Sequence, residues 1–130
     1  MSTNSVNLAA TSISAEKAAF APPTWTAVDT GTNGALVANV VAVARQQHYL
    51  THFTVSFSAA LAAPVTVTVK DGTTVIWQVE IGVLSSTFTE NFETRPLHAS
   101  TNAALSVNVG AAGSGVVQTI SAAGFSIMAP

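Results

Sequence analysis

Charge is what this sequence has least of. Four basic and six acidic residues make up 8 % of its 130 positions, where about 25 % is usual for a soluble domain. Surface normally built from Lys and Glu must here be built from Thr, Ser, Ala, Asn and Gln. Such a surface repels neighbours weakly and costs little to desolvate, which suits lasting contact with other subunits. Cysteine is absent altogether, which excludes a disulfide framework and a thiolate zinc site. The basic residues are scattered at Lys17, Arg45, Lys70 and Arg95 and the net charge is −2, so there is no clustered cationic face for nucleic acid. Long apolar runs are missing too. The longest, Ala35 to Ala44, is interrupted by Asn39 and is half a membrane span, so no membrane is expected. No basic, apolar leader opens the chain, and synthesis in the cytoplasm is the expectation.

Catalytic patterns are lacking as well. No serine sits in G-x-S-x-G, and no Ser/His/Asp set is signalled by spacing. Gly110, Gly113 and Gly115 share only glycine content with a phosphate-binding loop, since no lysine follows in register. Glu90 and Glu93 are three apart, which on an extended chain points them to opposite sides. His48 and His52 form H-x-x-x-H, but on a strand that spacing separates them by about 13 Å at roughly 3.3 Å per residue. A non-enzymatic protein with no cofactor and no metal is expected.

What is present is strand-like alternation. Val65, Val67 and Val69 alternate with Thr66, Thr68 and Lys70, and Val75, Trp77, Val79 and Ile81 alternate with Ile76, Gln78 and Glu80. Between them lies Asp71-Gly72, which predicts a hairpin with a type I′ turn and Trp77 in the core. From His48 to Phe57, Tyr49, Thr51, Phe53, Val55 and Phe57 share the predicted core face. Further strands are predicted over Trp25–Val28, closed by a turn at Asp29–Gly34, and over Leu36–Val43, Ser86–Phe92, Leu105–Val109 and Val116–Ile127. About eight short strands separated by turn signals, with no convincing helix, predict a single antiparallel β-sandwich of jelly-roll type. It should occupy residues 24–130. Residues 1–23 are Ser/Thr/Asn/Ala-rich, end at Pro22-Pro23, and predict an extended N-terminal arm. Only Lys70, Arg45 and Pro96 stand ready to guard strand edges, so partners covering those edges are expected.

Three stretches taken together resemble small virion proteins of tailed bacteriophages, the decoration or cement proteins on capsid exteriors. They are Val40 to Phe57, the hairpin Val65 to Ile81, and Arg95-Pro-Leu-His-Ala-Ser-Thr-Asn-Ala-Ala-Leu105. The resemblance spans about residues 25–127. It implies a β-sandwich protomer, a homotrimer, a major capsid protein as partner, and a place on the outside of a capsid assembled in the host. Phe20, Pro22, Pro23 and Trp25 are the expected capsid contacts. Arg45, His48, Arg95 and His98 are the expected subunit contacts, the arginines because their planar forks anchor interfaces well. The rival expectation is a carbohydrate-binding or host-adhesion module of a tail or spike. It would need exposed aromatics among Trp25, Tyr49 and Trp77.

Overall fold

Alternating valines make the first rule of this fold visible. In Val65–Asp71, Val65, Val67 and Val69 are buried while Thr66 is exposed and Thr68 and Lys70 half-buried, because successive side chains of a strand leave opposite faces. The computed structural model describes residues 23–129. The predicted arm, Phe20 and Pro22 therefore lie outside the described residues, and Pro23 is their first. No helix occurs among the described residues. Nine strands run in chain order: β1 Thr24–Thr32, β2 Leu36–Val40, β3 Gln46–Phe57, β4 Val65–Asp71, β5 Thr74–Ile81, β6 Thr87–Asn91, β7 Leu97–His98, β8 Leu105–Val109 and β9 Val117–Met128.

The strands form two antiparallel sheets, β1-β9-β3-β6 with the short β7 also on β3, and β2-β8-β4-β5. Strands of the first half of the chain pair with strands of the second: β1 with β9, β2 with β8, β3 with β6 and β7, and β4 with β5. The chain is thus one long hairpin, tipped at Gly72-Thr73 and rolled up so that its strands fall alternately into two layers. That is the jelly roll the turn spacing predicts. The core between the layers is Leu50, Phe53, Val55 and Ile120 from one sheet and Val67, Val69, Leu105, Val107 and Val109 from the other, with Leu61 closing it from a loop.

Two bulges change which residues face that core. Leu50 pairs with Gly124 and His52 with Ala123, leaving Thr51 as an extra residue in β3. One extra residue reverses the phase. His48 and Leu50 therefore point inward along with Phe53, Val55 and Phe57, and Tyr49 points out, contrary to the strict alternation expected of this segment. Similarly, Val69 pairs with Trp77 but Lys70 with Val75, so Ile76 is the extra residue. Trp77 packs edge-on against Phe53 and Phe92 as part of the core layer, whereas Val75, beyond the bulge, is exposed. Only Gly72 takes a positive φ in the hairpin, at +59°, so the turn is not the expected type I′, in which both central residues do. β1 runs on through Thr32, well past the turn expected at Asp29, because β9 pairs with it at every position from Thr24 to Thr32. The Asp29 carboxylate meanwhile accepts bonds from the Thr30 and Val37 N–H groups.

Candidate interaction surfaces

The residues expected to make contacts do not share one fate. His48 is 1 % exposed. Its Nε2 donates to the Val41 carbonyl at 2.8 Å, and its Nδ1 faces the Ser126 hydroxyl at 2.6 Å. That arrangement satisfies a neutral ring with Nε2 protonated and the serine donating. His48 is a core residue, and the Thr51 bulge is the reason, so its ring offers no surface to a neighbouring subunit, contrary to expectation. Trp25 is half-buried against the core, and its Nε1 donates to the Phe125 carbonyl at 3.1 Å. It covers the place where Gly124 has no side chain: a Cβ there would lie 2.6 Å from Trp25 Cζ2. Trp25 thus closes one end of the sandwich and does not stand free.

Arg45, Arg95 and His98 are exposed. Arg95 and His98 line one shallow hollow of about 350 Å³ with Ile76, Pro96 and Leu97. Arg45 sits in the β2–β3 loop with φ +66°. Its N–H is bonded to the Asn102 side chain, and its carbonyl accepts from Ala129 N–H at 2.6 Å. Arg95 is in the β6–β7 loop beside the middle of β3, while Arg45 and His98 lie at the end of the sandwich where Pro23 enters and Ala129 leaves. At the same end Val41, Val43, Ile127 and Met128 are exposed. Pro23 adjoins them through its carbonyl, which accepts from Ser126 N–H at 2.9 Å. Among the described residues, no three of His, Asp and Glu come together in a group able to hold a metal.

The broad outer face of the β1-β9-β3-β6 sheet is the feature that the expected residues missed. Strand register sets its outward side chains in four rungs. Thr30, Thr119, Ser56 and Thr87 make one, and Val28, Ser121, Thr54 and Thr89 the next. Thr26, Ala123, His52 and Asn91 follow, then Thr24, Phe125, Tyr49 and His98. Hydroxyls bond across strands from Thr30 to Thr119 at 3.2 Å and between Thr54 and Thr89 at 3.1 Å. Tyr49 stacks on Phe125 with ring centres 4.8 Å apart and planes at 7°, and His98 lies 5.5 Å from Tyr49. None of these sixteen positions is Asp, Glu, Lys or Arg, where average composition would place about four. Among the described residues the charges lie elsewhere: Lys70 and Glu80 on the outer face of the other sheet, Asp29 and Glu90 on the inward sides of β1 and β6, Asp71 at the end of β4, and Arg45, Glu93 and Arg95 in turns and loops. No single residue announces this face. Only the pairing of strands far apart in sequence assembles it.

Fold and surface together define a jelly-roll β-sandwich with one uncharged outer sheet face. No protein-family model matches the chain, and no curated protein sequence does. Solved structures show the fold. A chain in the acidic stable capsid structure of Helicobacter pylori bacteriophage KHP30 superposes with TM-score 0.52 at 16 % identity, over 81 % of this chain and 93 % of that one. More remote are a mitogen from Yersinia pseudotuberculosis (TM-score 0.40, 9 % identity, 81 % and 87 % covered) and Tomato aspermy virus (TM-score 0.38, 6 %, 78 % and 77 %). The likeness to the phage capsid chain is one of fold, and it extends over nearly the whole of that chain.

Proposed function

We propose that this protein is a non-enzymatic bacteriophage virion component, a decoration protein that binds the outside of an assembled capsid as a homotrimer. The observation that carries the reading is the fold likeness to a phage capsid chain, 93 % of which is covered by this one domain. The surface supports it. A domain that met only water would carry more charge than 8 %. The capsid-facing part is the end bearing Val41, Val43, Ile127 and Met128, with Pro23 beside them. Arg45 and His98 lie at the same end. Such a protein works by mass action: many copies bind the assembled lattice and not free subunits, so binding stabilises the lattice.

The test is saturable binding to undecorated capsids, with copy number read by quantitative gel densitometry of purified particles. Hundreds of copies per particle are expected. A handful per particle would indicate a tail or spike component instead. The rival reading, a glycan-binding adhesion module, would have to use the outward Tyr49–Phe125 stack, since both tryptophans are packed on the core. A glycan-array signal abolished by Tyr49→Ala, with no capsid binding, would replace the decoration reading by that one.

A further inference from the structure

We propose that the uncharged outer face of the β1-β9-β3-β6 sheet is where copies of this chain bind one another, its partner being a second copy. The inference rests on the reading above only for the number of copies. The face itself is argued from charge, area and side-chain type.

Identical molecules carry the same net charge, here −2, so they approach at least electrostatic cost where neither presents a charge. The sheet of β2-β8-β4-β5 shows Lys70 and Glu80 on its outside, and the loop ends carry Arg45, Glu93 and Arg95. Among the described residues, only the rung-bearing face is free of charge over its whole extent. Four strands about 4.8 Å apart and four rungs about 6.8 Å apart make it roughly 19 Å by 27 Å. That is about 500 Å² in projection, and more in accessible surface, against about 800 Å² per partner in a standard interface.

Its side chains also suit burial. Thr and Ser have little rotamer freedom to lose. The Tyr49–Phe125 stack offers an aromatic anchor at one end of the patch, the residue type on which interfaces concentrate their energy. In a closed ring of three each contact joins unlike surfaces. With the face turned towards the threefold axis, the β1 side of one copy's face therefore meets the β6 side of the next, and both contacting surfaces are free of charge.

The absence of cysteine makes a direct test possible. Val28, in the second rung, is 63 % exposed in the single chain, and Thr66 is exposed on the other sheet. Val28→Cys and Thr66→Cys are each labelled with maleimide-polyethylene glycol, in concentrated protein and after dilution to monomer. Labelling of Val28→Cys at least tenfold slower than Thr66→Cys in the assembled protein, with the two rates equal after dilution, is expected. Equal rates in the assembly, or a wild type strictly monomeric by light scattering at high concentration, would overturn the proposal. Ser121→Lys should reduce the assembly to monomers with an unchanged far-ultraviolet circular dichroism spectrum. If that variant does not fold, the labelling result decides alone. Protection of Val28→Cys without any capsid binding would remove the decoration reading and leave this one standing. Protection that appears only when capsids are added to a monomer would make the face a capsid contact and defeat the proposal.

Discussion

Gly124 sits where three elements come closest. A Cβ added there would lie 1.8 Å from the Tyr49 carbonyl oxygen as well as against the Trp25 indole. Backbone cannot give way as a flexible side chain can, and overpacking commonly costs about 1–3 kcal/mol or more. Gly124→Ala should therefore lower stability by at least about 3 kcal/mol, read as a shift in the urea-unfolding midpoint, while Gly34→Ala, where a Cβ meets nothing, should leave it almost unmoved. His48 is the second such residue. Replacing it by Leu strands the buried Ser126 hydroxyl, at about 1–3 kcal/mol for a buried group left unpaired, and removes the part-buried bond to the Val41 carbonyl. A total loss of about 2–4 kcal/mol in the same measurement is expected. Neither role was legible in sequence. His48 reads there as an outward or loop histidine because alternation counted back from Phe53 places it on the Leu50 and His52 side. Only the bulge at Thr51 turns it and Leu50 inward.

Elements fared according to how local their signal is. The β4–β5 hairpin was legible because Val65, Val67, Val69 and the Asp71-Gly72 corner lie within eight residues of one another. The end of β1 was not, since local turn residues at Asp29–Gly34 compete with pairing to a strand some ninety positions away. The loop after β8 shows a different gap. Its glycines, at 110, 113 and 115, suggest a loose connection, yet it is pinned by a residue outside it. Gln118 is fully buried, its amide oxygen accepting from Ala112 N–H at 2.6 Å and its amide nitrogen donating to the Gly110 carbonyl at 3.0 Å. The clue was available, because Gln118 shares the phase of Ile120 and Ala122 and is thus a polar residue in a core position. Gln118→Leu should accelerate amide hydrogen exchange at Ala112 by at least tenfold while leaving exchange in β4 unchanged, a pattern readable by nuclear magnetic resonance.

At the scale of the whole molecule, the scarcity of charge resolves into a map. Among the described residues one sheet face has none, the other has two, and the others sit in turns, loops, at the end of β4 and on inward strand sides. Association through an uncharged face should resist salt, because screening acts on charges and the Debye length falls from about 14 Å at 0.05 M to about 3 Å at 1 M. The assembled mass by light scattering is expected to be the same across that range, and dissociation by 1 M salt would point to contacts through Arg45 and Arg95 instead. The order in which the chain is made adds a constraint in time. β9, the last of the described strands in chain order, lies between β1 and β3, and Trp25 reaches Phe125 across 100 residues of sequence. Until that strand inserts, β1 has no partner and the four rungs do not exist. Contacts this distant in sequence form late and slowly, on the order of milliseconds to seconds. A nascent chain that has not yet made β9 therefore lacks this face to offer a sister copy, and assembly through it waits for that strand.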